Sequence, residues 1–224
     1  MTLLTRRDFV RISLSTAGGL AVGFHLPVSG ALDPGQQSAP SAVEINAWIT
    51  IDPDDSIVIR VARSEMGQGV MTSLPMIVAE ELEADWRKVK VEHVAVNRQI
   101  RTNEYGEMGT FASQSVSRSR EPLQYAGAQA RMRLIKAAAE KWVVDPADCY
   151  ADYHRVYDKS GRQSFSYGEL AAAAAMVNVV GVRIKTSDEF NILGLPTKRL
   201  DVPSKVDGTA QYGIDVRLPN MAYA

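Results

Sequence analysis

The feature that most constrains the fold is a change in the spacing of apolar residues between positions 45 and 94. Apolar and polar residues alternate over residues 45–51 and again over residues 88–94, and this alternation predicts a strand in each stretch. Between them, apolar residues recur at the spacing of one face of a helix: Val70, Leu74, Ile77, Val78 and Leu82. Strands on either side of a helix in so short a stretch favour a mixed fold.

Turn-forming residues divide this region further. Residues 53–56 (Pro-Asp-Asp-Ser) predict a turn that leads into a second strand over residues 57–61, so a hairpin is expected. Proline is tolerated in the first turn of a helix, and Pro75 therefore predicts that the regular helix begins near Thr72. Three acidic residues near the end of this helix are expected to form an exposed face: Glu80, Glu81 and Glu83.

The second half of the chain continues this mixture of helices and strands. Ser119 as N-cap, followed by Pro122, predicts the start of a long helix that ends at Pro146. Shorter elements follow: a strand over 150–157, a strand over 164–167, a helix over 168–177, a strand over 182–185, an extended stretch over 186–203 and the opening of a new strand over 215–224. The predicted fold class is α+β.

Composition excludes several classes of function. A net charge of -1 and an aromatic content of 7% provide neither a basic surface nor a stacking platform for nucleic acid. The single cysteine, Cys149, cannot form an internal disulfide and supplies no zinc site with three histidines, so it is expected to be a half-buried small hydrophobe. His93 and His154 lie in alternating strand patterns and are expected to be structural.

The first 31 residues have the features of an export signal. Arg6 and Arg7 are followed by a weakly apolar stretch over residues 12–24, which is shorter than the roughly 20 apolar residues that cross a bilayer. Small residues up to Ala31 fit a cleavage site. The pattern resembles a twin-arginine signal and predicts a periplasmic location, and the alternative is an ordinary basic amphipathic N-terminus. Residues 32–43, with Pro, Gly and Ser, predict a flexible linker.

Loop A, residues 64–69, is the first candidate for ligand binding. It lies between a predicted strand and a predicted helix, and Gly67 and Gly69 allow a ligand to approach the backbone closely. The helix N-terminus that follows suits an anion such as phosphate. Gln68 offers both a donor and an acceptor, as recognition of a pterin or base edge requires. A glycine turn of purely structural importance is the alternative.

Loop B, residues 106–117, is the second candidate. It is rich in hydroxyls and small residues and precedes the long helix, so it can surround a pyrophosphate with N–H and O–H donors without adding net charge. Arg118 and Arg120 are candidates for further phosphate contacts, although such residues are more often solvated. From the residues alone, a polar surface loop with a serine cap is the favoured interpretation, and the ligand loop is the alternative.

At these positions the chain resembles the molybdenum-binding large subunits of the xanthine oxidase family. The resemblance rests on residues 65–69 (Glu-Met-Gly-Gln-Gly) with Thr72, and on residues 79–82 (Ala-Glu-Glu-Leu). Residues 109–115 are similar to the family's second pterin-contacting loop, and residues 199–210 with 215–224 are similar to the start of its α/β hammerhead domain. The order of these segments resembles the branch of isoquinoline 1-oxidoreductase beta subunits and membrane-bound aldehyde dehydrogenases.

The resemblance implies a domain division and a set of site residues. Residues 44–186 would form the first part of a molybdopterin-binding domain, and residues 187–224 a linker and the start of the hammerhead domain. Residues of loop A would contact the pterin: Met66, Gly67, Gln68 and Gly69. Residues of loop B would contact its pyrophosphate or dithiolene side: Thr110, Ala112, Ser113, Gln114 and Ser115.

The resemblance also implies cofactors, partners and a reaction. The cofactor would be a molybdenum–molybdopterin cytosine dinucleotide, with 2Fe–2S clusters in a small partner subunit and haem c in a cytochrome c subunit. The substrate would be an aldehyde or an N-heterocycle, hydroxylated with oxygen from water.

In the family, a glutamate beside the molybdenum acts as the base, near the C-terminal end of a longer subunit. Nothing in these 224 residues matches it, so no catalytic or metal-ligating residue is assigned. The chain is therefore expected to be an inactive part of such an enzyme, with an exposed apolar face and poor solubility on its own. The alternatives are an exported non-catalytic binding or assembly module and a truncated remnant without a ligand.

Overall fold

The computed structural model of the chain describes residues 43–94 and 108–222. The predicted signal over residues 1–31 and all but the last residue of the predicted linker lie outside the described residues. The described part contains two sheets and several helices, which confirms the predicted α+β class.

The first sheet has four strands in the order β1-β2-β3-β4, and it leads the chain into loop A. Strands β1 (Val43–Asn46), β2 (Ile49–Ile51) and β3 (Ile57–Val61) are antiparallel neighbours. Strand β4 (Val89–His93) is parallel to β3, because helix α1 (Val70–Leu82) brings the chain back to the start of the sheet. Loop A therefore lies where β3 ends and α1 begins.

The second sheet is an antiparallel meander of β5 (Cys149–Asp152), β6 (Arg155–Asp158) and β7 (Ser164–Ser166). The long helix α2 (Ser115–Trp142) precedes it and helix α3 (Tyr167–Met176) follows it. A short helix and four single turns of 3-10 helix complete the described elements: α4 (Val202–Val206), Trp86–Lys88, Pro146–Asp148, Ser187–Glu189 and Gly213–Asp215.

Helices α1 and α2 pack against each other with almost no space between their backbones. A Cβ atom on Gly127 of α2 would lie 2.6 Å from the carbonyl oxygen of Val78 and 2.8 Å from Cβ of Glu81, both in α1. Glycine is therefore required at this crossing. The apolar side chains around it form the core between the first sheet and the helices: Ile45, Ile49, Ile51, Ile57, Ile59, Leu74, Val78, Leu82, Leu123, Leu134 and Leu170.

We expect Gly127→Ala to lower the free energy of unfolding by about 1–3 kcal/mol, because the new methyl group must push two helix backbones apart. An exposed helical Gly→Ala change would instead stabilise a helix by up to about 1 kcal/mol. Urea unfolding measures the difference. Gly213→Ala is the control, since a Cβ there meets no atom within 4 Å. Equal stability of the Gly127 variant and the unaltered protein would contradict this packing.

The prediction of one strand over residues 45–51 is wrong, because the chain makes a tight turn at Ala47 and Trp48. The Asn46 side chain accepts a hydrogen bond from the Trp48 N–H (3.0 Å) and donates one to the carbonyl of Ala126 in α2 (3.0 Å). The turn is thus held by a tertiary contact, which the alternation of apolar residues does not report.

The prediction of one strand over residues 150–157 is wrong for the same reason. Strands β5 and β6 are joined by Tyr153 and His154, whose φ angles of 41° and 73° are left-handed and unfavourable for these residues. His154 is buried; its N–H donates to the carbonyl of Glu83 (2.7 Å) and its Nε2 lies 2.7 Å from the carbonyl oxygen of Asp55. These contacts stabilise the turn, and they agree with a structural role for this histidine.

Helix boundaries differ from the predictions by a few residues. Helix α1 begins at Val70, two residues before Thr72, and α2 begins at Ser115, four residues before the predicted N-cap. Ser119 is buried inside α2 instead, where its hydroxyl accepts a hydrogen bond from Arg63 Nε (3.3 Å). Cys149, predicted to be half-buried, is buried in the core.

Two predicted strands near the C-terminal end do not form within the described residues. Residues 182–185 form no strand, and the N–H of Lys185 donates to the buried carboxylate of Glu81 (3.1 Å) rather than to a neighbouring strand. Residues 215–222 contain no strand; the chain turns at Gly213–Asp215, where the Asp215 carboxylate accepts the Tyr212 N–H (3.0 Å).

The predicted exposed acidic face is wrong for Glu80 and Glu81, whose exposed fractions are 1% and 0%. They lie under residues 183–201, which we call the connecting segment. Glu80 Oε1 lies 2.6 Å from the Lys185 ammonium. Its Oε2 accepts three successive backbone N–H groups, those of Asn191 (2.9 Å), Ile192 (2.6 Å) and Leu193 (3.0 Å).

Glu81 is held by both the connecting segment and α2. Its carboxylate accepts the Lys185 N–H and a hydrogen bond from Gln124 (3.2 Å), and Arg131 lies 3.6 Å away. Burial raises the pKa of Glu81 despite these partners. Burial alone would also raise the pKa of Glu80, but Lys185 and the three N–H groups outweigh it, so the pKa of Glu80 is lowered. The two carboxylates thus fasten the connecting segment to α1.

We expect Glu80→Gln to lower the free energy of unfolding by about 3–5 kcal/mol, because it leaves the buried Lys185 ammonium without one of its carboxylate partners. Glu121→Gln, at an exposed position of α2, is the control and should change it by less than about 0.5 kcal/mol. Urea unfolding of both variants tests this. Equal effects of the two substitutions would show that the buried contacts of Glu80 with Lys185 and residues 191–193 do not stabilise the fold.

Candidate functional site

Loops A and B lie side by side, where helices α1 and α2 begin. The backbone N–H of Ser64 donates to Thr110 Oγ1 (2.9 Å), and the Arg63 guanidinium donates to the carbonyl of Gly109. The structure thus brings together the two candidate loops, although Ser64 and Thr110 lie 46 residues apart in the chain.

Loop A is organised around the carboxylate of Glu65. One oxygen accepts the N–H groups of Gly67 (2.8 Å) and Gly69 (2.9 Å), and the other accepts the N–H of Met71 (3.0 Å). Gly67 and Gly69 have φ angles of 101° and 89°, which only glycine adopts at little cost, so the loop can fold around this side chain. The conformation of the loop is therefore defined by contacts within the protein.

The carboxylate of Glu65 already occupies the N-terminus of α1. Burial alone would raise the pKa of Glu65, but the N–H groups of Met71, Gly69 and Gly67 outweigh it and the pKa lies below its ordinary value. An ionised carboxylate here repels a phosphate. The prediction that the start of this helix binds an anion is therefore wrong.

The groups that loop A leaves available are those of Gln68 and Met66. The Gln68 side chain donates one hydrogen bond to the carbonyl of Ser64 (2.8 Å) and accepts one from the Met66 N–H (2.6 Å). An amide side chain has two N–H hydrogens and two carbonyl lone pairs, so one of each remains for a ligand. The Met66 side chain is 70% exposed beside it, and a Cβ on Gly67 would meet no atom within 4 Å. This face of loop A is open.

The N-terminus of α2, at the end of loop B, is uncapped. Ala112 and Ser113 have φ angles of 51° and 54°, and the side chain of Gln114, the N-cap residue, makes no capping hydrogen bond. In the described part of the chain, the backbone N–H groups of residues 115–117 have no acceptor. The Gln114 Oε1 atom is buried there without a hydrogen-bond partner. A helix N-terminus with free N–H groups suits an anion, which agrees with the prediction for loop B.

Sequence reasoning missed two residues that hold loop A from outside. Arg199 donates to the carbonyl of Gly67 (2.7 Å), and the Thr72 hydroxyl accepts the N–H of Leu200 (3.0 Å). More than 125 residues separate each of these pairs (|i−j| = 132 and 128), so no local pattern could have indicated them. The sequence had marked Thr72 only as the expected start of the helix, and both Thr72 and Arg199 only as members of the segments that carry the resemblance.

A cavity of about 660 Å³ in the described part of the chain does not adjoin these loops. It lies between β1 and α2, and its polar lining includes Glu44, Tyr125 and Arg133. A groove of about 360 Å³ lies beside loop A, lined by Arg63, Glu65 and other residues. We place the site at the loops, because the unpaired N–H groups and the buried Gln114 oxygen lie there. The volume of a cavity does not by itself show that it binds a ligand.

Comparison with known proteins shows to which family the chain belongs. The family model described as the molybdopterin cofactor-binding domain matches residues 13–215 of the chain. The chain belongs to this family. The predicted relationship to molybdenum hydroxylase large subunits of the xanthine oxidase family is thereby confirmed.

Three named relatives extend the comparison. The chain is 31% identical to the beta subunit of isoquinoline 1-oxidoreductase from Brevundimonas diminuta, over 99% of this chain and 33% of that protein. It is 32% identical to a membrane-bound aldehyde dehydrogenase of Gluconacetobacter polyoxogenes, over 98% of this chain and 29% of that protein. It is 28% identical to a nicotinate dehydrogenase subunit from Pseudomonas putida, over 88% and 16%. The chain thus spans a third or less of the length of these relatives.

Solved structures of related enzymes show partial similarity. Quinoline 2-oxidoreductase from Pseudomonas putida 86 aligns over 57% of this chain and 16% of its own, with a TM-score of 0.46 and 19% identity. CO dehydrogenase from Oligotropha carboxidovorans aligns over 56% and 15%, with a TM-score of 0.46 and 26% identity.

The residues present fit a molybdopterin. A pterin ring carries neighbouring donors and acceptors at its edge, which match the remaining hydrogen and lone pair of Gln68. The phosphate part of the cofactor is an anion, which matches the free N–H groups at the start of α2. The buried Gln114 oxygen lacks a donor, and a cofactor N–H or O–H would supply one.

We expect Glu65→Gln to loosen loop A without unfolding the protein, because a neutral amide has only one oxygen with which to replace the three N–H contacts of the carboxylate. Hydrogen–deuterium exchange of residues 66–71 should become about tenfold faster, as the loss of a charged hydrogen bond implies. Glu140→Gln, exposed on α2, should leave it unchanged. Unchanged exchange in the Glu65 variant would show that the carboxylate does not organise the loop.

Proposed function

We propose that this chain supplies one wall of the cofactor site in a molybdopterin-dependent oxidoreductase. The enzyme would hydroxylate an aldehyde or an N-heterocycle with oxygen from water. The observation that carries the proposal is the junction of loops A and B, where Ser64 and Thr110 are hydrogen-bonded and the start of α2 is uncapped. The family match and the names of the relatives support the same conclusion.

The two loops would hold different parts of the cofactor. Gln68 would bind the edge of the pterin with its side chain, while the thioether of Met66 would cover a face of the ring and exclude water from it. Gly67 and Gly69 carry no side chain that would keep the ring from the backbone. The molybdenum would supply oxygen transfer and two-electron oxidation when the cofactor is bound.

Loop B would hold the pyrophosphate of the cytosine dinucleotide form. The N–H groups of residues 115–117 point out of the helix end, and the hydroxyls of Ser113 and Ser115 add donors without charge. Ala112 and Ser113 have left-handed backbone angles, and their small side chains leave space at the helix end. Thr110 would hold the loops together through its bond to Ser64 rather than contact the cofactor through that lone pair.

Partners and location are part of the proposal. Electrons would leave through a small 2Fe–2S subunit and then a cytochrome c subunit with haem c. The twin arginines Arg6 and Arg7 support export to the periplasm after the cofactor has been inserted. Within the described residues, no helix has both the length and the apolar character needed to cross a membrane.

Two other functions are distinguishable from this one. The name of the Gluconacetobacter relative includes pyrroloquinoline quinone, and a quinone cofactor would leave the purified protein without molybdenum. We favour molybdopterin because the family model covers residues 13–215. An exported binding or assembly module would hold the cofactor only transiently and in substoichiometric amount.

The test is the molybdenum content of the native protein, purified with its partner subunits. We expect about one molybdenum per chain by mass spectrometry of the metal. Gln114→Leu should reduce this content by about tenfold, because it removes an acceptor that the cofactor uses. The same variant should be no less stable without cofactor, since a buried unpaired oxygen is replaced by an apolar group.

Gln163→Leu, at an exposed position between β6 and β7, is the control and should keep its molybdenum. Absence of molybdenum from the unaltered protein would overturn the proposed function. A fully loaded Gln114 variant would leave the cofactor assignment in place and remove loop B from the site.

A further inference from the structure

Arg199 is the residue through which the connecting segment reaches loop A. Its Nε and Nη2 donate to the two carboxylate oxygens of Asp201 (2.9 and 2.6 Å). Its Nη2 also donates to Glu65 Oε1 (3.3 Å), and its Nη1 donates to the carbonyl of Gly67 (2.7 Å). Four of the five guanidinium N–H donors are therefore used within the protein.

These contacts leave Arg199 poorly suited to bind a phosphate itself. Two carboxylates, Glu65 and Asp201, already surround its charge, and Lys205 lies 2.5 Å from Asp201 on the other side. The guanidinium is thus held in one orientation. In this orientation it binds the backbone carbonyl of Gly67 in loop A.

The carbonyl of Gly67 fixes the direction of a second group. In a trans peptide the C=O of one residue and the N–H of the next point in opposite directions. Because Arg199 binds the Gly67 carbonyl, the N–H of Gln68 points away from Arg199. That N–H has no acceptor among the described residues, unlike the N–H groups of Met66, Gly67 and Gly69.

The position of Arg199 is itself set by the buried carboxylates at the other end of α1. Glu80 binds the connecting segment at Lys185 and at residues 191–193. Thr72, at the start of α1, accepts a hydrogen bond from the same segment at Leu200. The segment therefore runs from the end of α1 to its start, along a helix of 13 residues or about 20 Å. It is attached at both ends, so Arg199 reaches loop A in a fixed position.

We propose that Arg199 is a positioning residue of the cofactor site, which directs the free N–H of Gln68 toward an acceptor atom of the bound pterin. The inference rests on the proposed function and adds to it a residue that does not touch the cofactor. It assigns the backbone of Gln68, in addition to its side chain, to recognition of the pterin edge.

The experiment compares Arg199→Ala, Arg199→Lys and the control Arg183→Ala in the native protein with its partner subunits. Arg183 lies in the same connecting segment, but among the described residues its side chain pairs with Glu189 at the surface and not with loop A. Three quantities are measured: molybdenum per chain, hydrogen–deuterium exchange of residues 66–71, and the electron paramagnetic resonance spectrum of the molybdenum centre.

We expect Arg199→Ala to increase exchange in residues 66–71 by about tenfold, to reduce molybdenum content and to alter the resonance spectrum of the remaining centres. Exchange in β3 and α2 should stay unchanged. Arg199→Lys should be intermediate, because lysine keeps the charge but cannot bind Asp201 and Gly67 together. Arg183→Ala should match the unaltered protein in all three measurements.

Unaltered molybdenum content and spectrum in Arg199→Ala would overturn the inference while leaving the proposed function intact. Faster exchange throughout the protein would also overturn it, since Arg199 would then stabilise the fold in general rather than loop A. Absence of molybdenum from the unaltered protein would overturn the proposed function and this inference with it.

Discussion

The arrangement of this protein depends on two carboxylates that are buried at the end of one helix. Taking the carboxylates of Glu80 and Glu81 out of water is costly. Backbone N–H groups, Lys185 and Arg131 surround them, and these partners outweigh the cost at Glu80 and reduce it at Glu81. Those donors come from the connecting segment and from α2. The carboxylates therefore have hydrogen-bond donors only if the connecting segment and α2 both pack against α1.

Helix α1 connects the buried carboxylates with the proposed ligand site. Its other end begins at loop A, where Glu65 fills the helix N-terminus and the connecting segment returns at Arg199 and Leu200. Helix α2, held against α1 at Gly127, brings loop B to the same place. A buried polar cluster and a glycine crossing thus position two loops that contribute little to the core themselves.

The two loops differ in charge and therefore suit different parts of a ligand. Loop A has an ionised carboxylate at its centre, so it presents hydrogen-bonding edges and a methionine rather than an anion site. Loop B has no carboxylate in its described part and an uncapped helix start, so its free N–H groups suit a phosphate. A ligand with a hydrogen-bonding ring at one end and phosphates at the other matches this division.

The sequence by itself determined the α+β class, the hairpin between β2 and β3, the two loops and the family, because these depend on local period, turn residues and short motifs. It did not determine where two hairpins turn, since contacts of Asn46 and His154 with distant backbone hold those turns. It placed Glu80 and Glu81 in solvent, because acidic residues in a helix usually lie there. Only the tertiary structure brought the connecting segment over them, since burial of a charge depends on partners that lie more than 100 residues away in the chain (|i−j| = 105).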